Sequence, residues 1–561
     1  MAKKILWSSE SSFLKTGYST YTRNILSRLY STGKYEIAEH GAYGHPGDER
    51  SHSLPWRFYG NLPSTEAEAQ TYNRHSPDQF NKWSHEACCL SFKPQIVCGI
   101  TDTWMWEHLA SSPFRPYYNL SVMSACDAKP QNREWLYQFQ EVDGLFTYTE
   151  WAKDEITKQS NGVVKPLDFM PAGADFNTFK PAPNKGQHKQ MFGFSPDIFI
   201  VGMLSRNQKR KMFPHLFEAF RLFLDKNADS VIGRKTFLYL HTSWRDLGWD
   251  IPNLLNKYGL SHKVMFTYFC PKCGMVFPSF FQDTKGICPR CGDKQCQMPN
   301  TQFGLNDDAL AAIYNLFDVY VQYANSEGQG IGQVEAAACG VPIAAVDYSG
   351  MADIVHKLKG HPIRVLEYLT ESETGCLRAI PDNEHLVEIL IKFLSLPETI
   401  RLRKGYETRQ LCIQFYNYDT AAKKWMDYFD SVEVEDRWGS PPNLHNPITT
   451  VPQGLSEEEV VKWAIINVLG LPNRLHSYFH MRILRDLNAG KQQEGFGGFY
   501  AGDMSILSHS QVPRDYSLND MLNQLYGIRM NINQWEKRRC GLEPYTPPMC
   551  ISRYKPGQNE Q

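Results

Sequence analysis

The chain has 561 residues, 42% of them hydrophobic and 21% charged, with a formal net charge of −1. This is the composition of a globular protein with a large core, and at about 100–200 residues per domain it implies three or four units. Near-neutrality excludes an overall field that would draw the molecule onto nucleic acid or an anionic membrane, and no run approaches the roughly 18–20 apolar residues of a membrane span.

The opening Met1-Ala-Lys-Lys-Ile-Leu-Trp7 lacks the apolar core of a secretory signal and reads as a first buried strand. A polar loop ends at Thr16-Gly17-Tyr18. Ser19 to Tyr30 then has helical spacing, with Tyr21, Ile25, Leu26 and Leu29 on one face. Strand, glycine-containing loop and helix open an α/β unit. Further strands are predicted at Gln95–Ile100, Leu120–Ser124 and Gly144–Tyr148, with helical stretches between them. Pro171–Asp175 and Phe179–Pro181 read as loops and Pro181–His188 as a linker, closing a first domain over residues 1–185.

A second series starts at Phe199–Leu204 and continues with strands at Thr236–His241, Val264–Tyr268, Val319–Tyr323 and Pro342–Val346. Asp307–Asn315 has a helical pattern. Glu335–Cys339 should lie on a helix closed by Gly340 and Pro342. This second domain spans 190–410. The fold class is therefore α/β: two Rossmann-like, doubly wound domains facing across a cleft, with ligands at the carboxyl ends of the strands. Beyond residue 432 the character changes. Arg437–Gly454 is a Pro, Asn and Gly-rich linker, Ser456–Leu469 a helix with a Ser456/Glu459 capping box, and Gly490–Gly502 a glycine-rich aromatic stretch. No role is assigned to this 433–561 extension.

The densest functional signal is Ser326–Glu335. Glu327 and Glu335 flank seven residues that include Gly328, Gly330 and Gly332. A glycine turn at a helix N-terminus offers backbone N–H groups and the positive dipole end to a phosphate. Glu335 can then reach a ribose diol, and Glu327 sugar hydroxyls. The bland reading is a turn with two solvated glutamates. The preceding strand, the spacing and the following Ala-Ala-Ala-Cys-Gly-Val-Pro-Ile343 favour a site.

This segment resembles the E-x7-E signature of family 4 retaining glycosyltransferases, which have the GT-B fold. The resemblance covers about residues 1–430. It implies a nucleotide-diphosphate sugar as donor substrate, held by the backbone of Gly328, Gly330 and Ile331, with Glu327 on the sugar and Glu335 on the ribose. One departure is Gln329, where the family often has Phe. Arg206 and Lys211, in Arg206-Asn-Gln-Lys-Arg-Lys211, match the family's pair of cations on the diphosphate, which replace a metal in the chemistry. Lys209 and Arg210 are read as solvated. Gly17 and Tyr18 match the first-domain glycine loop over the phosphate or acceptor; a simple left-handed turn is an equal reading. Asp127, in Ser124-Ala-Cys-Asp-Ala-Lys-Pro130, matches the polar catalytic position near the anomeric carbon, against an Asx-turn reading. Asp102 is a second, lower candidate. Pro171, Gly173 and Asp175 match a structural loop at the domain junction. A helix within 411–432 should cross back to the first domain, as in relatives.

Fourteen cysteines include Cys270-Pro-Lys-Cys273-Gly and Cys288-Pro-Arg-Cys291-Gly. Two such knuckles fourteen residues apart predict a zinc ribbon inserted at 268–300, its closed four-thiolate shell structural. Cys296 is left out. Thiols in this pattern suit a reducing compartment, and a cytoplasmic location is expected, that of the host cell if the protein is phage-encoded. Lys272, Phe277, Phe280, Phe281, Lys285 and Arg290 on the ribbon suit nucleic-acid contact or packing onto the host domain, the latter favoured for the phenylalanines. Arg529, Lys537, Arg538 and Arg539, with Trp535, read as a solvated helix face or a nucleic-acid contact.

The acceptor is open. The first domain has no basic amphipathic surface helix, so no membrane insertion is expected. Some viral relatives glycosylate hydroxymethylated bases, so DNA is one candidate beside protein or polysaccharide. Competing readings are a non-catalytic scaffold of the same fold and an epimerase or phosphorylase. A decayed scaffold would have lost some of Glu327, Glu335, Arg206 and Lys211. Oligomeric state is not readable.

Overall fold

A computed structural model describes residues 2–74, 76–282, 286–300, 304–470, 480, 483–484, 487, 517–549 and 551–555. Lys285 and the Gly490–Gly502 stretch lie outside the described residues. The first sheet has seven parallel strands: β1 (Lys3–Glu10), β2 (Tyr35–Ala42), β3 (Arg57–Gly60), β4 (Ile96–Thr101), β5 (Asn119–Ser124), β6 (Gly144–Thr147) and β7 (Asp168–Phe169), in the order β3-β2-β1-β4-β5-β6-β7. The second contains β8 (Phe199–Leu204), β9 (Thr236–His241), β10 (Val264–Phe269), β11 (Val276–Phe280), β12 (Val319–Gln322), β13 (Ile343–Val346) and β14 (His361–Ile363), in the order β11-β10-β9-β8-β12-β13-β14. All its pairs are parallel except β10 with β11. A separate antiparallel hairpin joins β15 (Val365–Thr370) to β16 (Leu377–Pro381). These are two Rossmann-like sheets, as expected.

Strand order reverses between β1 and β4 in one sheet and between β8 and β12 in the other. Ligands of open α/β sheets sit at such switch points, beyond the carboxyl ends of the strands. Those ends carry Glu10, Asp102, the Ser205–Lys211 loop and the Ser326–Gly330 loop.

The strands at 35–42 and 57–60 were not expected from the sequence. Tyr35–Ala42 reads as polar because Glu39 and His40 interrupt it, yet both are fully buried. The Glu39 carboxylate accepts hydrogen bonds from the Ser12 N–H (2.6 Å), Ser12 Oγ (2.8 Å) and Trp56 Nε1 (2.7 Å), which offsets the cost of burying a polar group.

Helix α1 (Gly17–Ser31) is capped by Thr16, whose Oγ1 accepts from the Ser19 N–H at 3.2 Å. It buries Tyr21, Ile25, Leu26 and Leu29. The helix Tyr418–Ser431 lies against α1 although it follows the second domain in sequence. Its Trp425 is fully buried, donates from Nε1 to Tyr21 Oη at 2.8 Å and meets the Trp7 ring edge-on at 5.1 Å. Lys3 Nζ donates to the Phe429 and Val432 carbonyls, both at 2.6 Å, closing the helix's C-terminal end.

The described part of the extension forms its own small core. Helix Glu457–Ala464 begins with the predicted capping box and runs into a π turn, Ile465–Leu469. Val460, Val461 and Val468 pack there against Met521, Leu522 and Leu525 of the helix Leu518–Arg539. The reading of that helix's basic cluster as a solvated face is corrected for two residues. Arg529 and Arg539 are buried: Arg529 donates to Asn533 and the Leu469 carbonyl, and Arg539 to the carbonyls of Trp438, Ser440 and Pro441. They tie chain segments together and present no surface to a polyanion. Among the described residues no helix is long and apolar enough to cross a membrane.

Candidate active site

Helix α2 (Ile331–Ala338) begins four residues before Glu335, because Gly330 takes the left-handed conformation (φ +88°) and turns the chain directly into it. The helix N-terminus therefore points out of the Ser326–Gly330 loop into the cleft. The opposite wall is close. A Cβ built on Gly328 would lie 3.1 Å from Ala125 Cβ, and one on Gly17 would lie 3.5 Å from Ile331 Cδ1. The N-terminus of α1, with Gly17 and Tyr18, thus faces the N-terminus of α2.

Glu327 is buried. Its Oε2 accepts from Arg210 Nη1 at 2.5 Å, and its Oε1 accepts from Gln322 Nε2 at 2.8 Å and from Lys211 Nζ. Its backbone N–H donates to Ser349 Oγ at 3.0 Å. Burial, reinforced by the charge of Arg210, pushes the Lys211 ammonium pKa well below its ordinary range. Arg210, read as solvated, is instead a member of this cluster, with 40% of its side chain facing the cleft. Lys209 is exposed, as expected. Arg206 grips Asp246 through Nε and Nη2, both at 3.0 Å, with half its side chain exposed, so it stands apart from Glu327 in this state.

Asp127 meets the donor loop directly. Its Oδ2 accepts from Ser326 Oγ at 3.0 Å and from Arg378 Nη1 at 2.9 Å. Arg378, on β16, also donates to Ser326 Oγ (2.6 Å) and to Glu371 (2.7 Å). Burial opposes its charge, but Asp127 and Glu371 prevail and its pKa rises. No local pattern in the sequence marked Arg378: it alternates on a short hairpin strand and acquires meaning only when the domains meet. Asp102 accepts from Tyr18 Oη at 2.5 Å, and burial raises its carboxyl pKa.

Glu335 sits a turn inside α2, buried, and accepts from Tyr314 Oη at 2.8 Å. Burial lifts its pKa to about 7. Gln329, where a Phe was the family's usual choice, clasps the junction loop. Its Oε1 accepts from the Ala172 N–H and its Nε2 donates to the Ala172 carbonyl, both at 2.7 Å. Gly173 beside it has no room for a side chain: a Cβ there would lie 2.5 Å from the Tyr416 carbonyl oxygen.

The sulfurs of Cys270, Cys273, Cys288 and Cys291 lie within 4.8 Å of one another. The Cys270–Cys291 and Cys273–Cys288 pairs are 3.6 Å apart. A tetrahedron of sulfurs about 2.3 Å from zinc has edges of about 3.8 Å, so the set fits that ion. Gly274 and Gly292 close both knuckles at positive φ. The ribbon's β11 pairs with the edge of the second sheet. Phe277 stacks on Tyr268, and Phe281 packs on Trp244 and Phe266, so the aromatic residues serve the host domain. Lys272 and Arg290 stay exposed.

Residues 297–410, which contain the whole Glu327–Glu335 loop, match the family model of glycosyl transferases group 1. The protein is a glycosyltransferase. The fold of this glycosyltransferase is GT-B, by likeness to solved structures. Sucrose-phosphate synthase from Thermosynechococcus elongatus superposes with a TM-score of 0.56 at 14% identity, covering 77% of this chain and 98% of that one. Anabaena HepE, in complex with UDP and glucose, gives 0.52 at 14% identity over 77% and 100%. A glycosyltransferase from Rickettsia africae gives 0.51 at 12% identity over 76% and 98%. No curated protein matches the enzyme in sequence.

Proposed function

We propose that this enzyme moves a sugar from a nucleoside-diphosphate sugar, in the first instance a UDP-sugar, to an acceptor hydroxyl with retention of anomeric configuration. The observation that carries the reading is the convergence of Lys211, Arg210 and Gln322 on Glu327 at the mouth of a helix N-terminus, opposite Asp127. HepE binds UDP and glucose on the same fold, which supports the choice of donor.

The roles follow from chemistry. The amides of Gly328, Gly330 and Ile331 and the dipole of α2 take the diphosphate, with Arg206, Lys211 and Arg210 as counter-charges. A diphosphate beside Lys211 favours its charged form, reversing the depression that burial imposes. Glu327 accepts from sugar hydroxyls and Glu335 from the ribose. The donor C1–O bond breaks, the acceptor oxygen bonds to C1 on the same face, and the acceptor proton leaves with the departing diphosphate oxygen. Asp127 is tied to Arg378 and Ser326, which suits a group that steadies positive charge at C1 better than a free nucleophile. The four ribbon thiolates would hold a structural zinc, which organises the insertion and takes no part in transfer. The acceptor supplies a hydroxyl, which hydroxymethylated DNA bases, proteins and saccharides all carry.

Lys211→Ala and Glu327→Gln should each lower kcat/KM for a UDP-sugar about 100-fold or more, the scale of losing one preorganised charge contact. Circular dichroism and thermal midpoint check that the fold survives. Full transfer by both variants would sink the assignment, and an inverted product anomer, read by NMR, would sink the retaining course.

A further inference from the structure

A cavity of about 450 Å³ lies where the extension meets the first domain, and it shares no lining residue with the cleft between the domains. Its size falls in the range of small-molecule sites. One wall is the helix Leu518–Arg539. Ile528, Ile532 and Trp535 recur there at helical spacing and give the cavity a half-buried apolar stripe, with Arg529 beside it. The other wall belongs to the first domain. It carries Lys82 and Glu86, a turn apart on the helix Lys82–Phe92, with His108 and Arg115. The charges of this lining do not balance. Arg529 is buried, yet among the described residues it bonds only neutral acceptors, Asn533 Oδ1 and the carbonyls of Asn443 and Leu469. Burial draws its pKa down to about 10. The acid that acts on it, Glu536, is already engaged by Arg539, Tyr117 and the Asn443 N–H. On the opposite wall, burial lifts the Glu86 pKa to about 7 against the pull of Lys82, so near neutral pH Glu86 offsets only part of a unit charge. Hydrogen-bonding capacity is also unspent. Arg115 Nε has no partner on a side chain only 2% exposed. His108 Nδ1 donates to the Met105 carbonyl at 3.1 Å, which leaves its buried Nε2 unpartnered as well.

We propose that this cavity is a second ligand site, for a small organic anion whose carboxylate or phosphate head lies in the field of Lys82, Arg115 and Arg529 and whose apolar body rests on Ile528, Ile532 and Trp535. A buried guanidinium without an ion pair is costly, and an anionic head supplies the missing charge. A charged acceptor also strengthens each hydrogen bond it takes from these cations. The isoleucines and the indole remove the rest of the molecule from water. A cationic ligand would meet three cations, and a neutral one would leave Arg529 as it is. The two walls belong to different units, so a molecule that fills the cavity holds the extension on the first domain and adds its binding free energy to that docking. None of this depends on which donor or acceptor the cleft takes.

The full chain is titrated calorimetrically with phenylacetate, indole acetate and phenyl phosphate, and with uncharged phenylacetamide and cationic phenethylamine. At least one anion is expected to bind with a Kd below about 1 mM and at least about tenfold more tightly than the amide and the amine. Whether the carboxylates or the phosphate bind more tightly identifies the head group. Lys82→Met should weaken the best anion about tenfold, the scale of one charge-assisted contact. Ser111 lines the cavity from an exposed position, so Ser111→Trp should obstruct binding without disturbing the core, and an unchanged thermal midpoint checks that it folds. At saturation the anion should slow proteolytic cleavage within the helix Leu518–Arg539 several-fold. No anion bound below about 1 mM, an amide or amine bound as tightly as the anions, or anion binding unaltered in both folded variants would each overturn the proposal.

Discussion

Glu335 is a buried acid whose pKa has been lifted to about 7 from an ordinary 4.5. Burial is the main cause, and the Tyr314 hydroxyl opposes it only in part. Between those two values the folded chain holds a proton that the unfolded chain gives up, so this group's contribution to stability is full below about 4.5 and declines as pH rises through about 7. A ribose hydroxyl donating to Glu335 reverses that preference, because a hydrogen bond to the charged form favours it. UDP should therefore gain affinity from Glu335 as pH rises from 6 to 8. Calorimetry across that range on wild type and Glu335→Gln isolates the term: the wild-type Kd should improve relative to the variant by about threefold to tenfold. Parallel profiles would show that Glu335 does not titrate on binding. Glu327 and Glu335 stood out in the sequence as two acids around a glycine turn, and Lys211 only through the family resemblance that pairs it with Arg206; the structure brings Lys211 to Glu327 and sets Glu335 against Tyr314. Arg210 was not legible, because a basic run is most often solvated; only the position of Glu327 in space gives it a partner. Arg378 was not legible for a different reason. Its partners Asp127 and Ser326 are 251 and 52 residues away in sequence.

The four-cysteine cluster was legible from its spacing; the mechanical role of a metal held there was not. β11 adds to the edge of the second sheet against β10, and an uncovered edge strand is an open template for pairing with other chains. The knuckles flank β11, so a zinc held by them would fix this outermost strand against β10. Metal analysis should find one zinc per chain. Removing it with a chelator should lower the thermal midpoint by about 4–8 °C for a loss of about 2 kcal/mol and increase aggregation, while transfer well below that midpoint persists. An unchanged midpoint in zinc-free protein would remove the structural role. The missed strands teach a related lesson at this scale. β2 hides in the sequence because Glu39 breaks the apolar pattern, and its partners Ser12 and Trp56 lie on other segments. β15 hides because it is almost wholly solvent-facing and carries no buried periodicity.

Across the whole molecule, the domains are joined at two levels. The Gln329–Ala172 clasp and the Asp127–Arg378 pair lie at the cleft, whereas the extension docks at the opposite end of the first sheet. Trp438 Nε1 donates to the Pro94 carbonyl at 2.7 Å, just before β4 begins, and its ring meets Phe114 at 5.5 Å and Tyr117 at 5.0 Å. Tyr117 donates to Glu536, and Trp535 packs on Phe114 at 5.2 Å, bringing the helix Leu518–Arg539 onto the same spot. These are the amino ends of the strands; ligands of such sheets gather at the carboxyl ends. The extension is thus placed to stabilise the first domain and to leave donor binding alone. Trp438→Ala removes a buried aromatic anchor and should cost about 3–5 kcal/mol. The helix Leu518–Arg539 should then become accessible to limited proteolysis, since Arg539 loses the ordered Trp438 and Ser440 carbonyls it bonds. The UDP Kd of the folded variant should stay within about twofold of wild type, a difference of less than about 0.5 kcal/mol. A larger loss of UDP affinity at a temperature where the variant is folded would mean that the extension acts on the cleft through the sheet, and that the amino-end contacts have a part in catalysis.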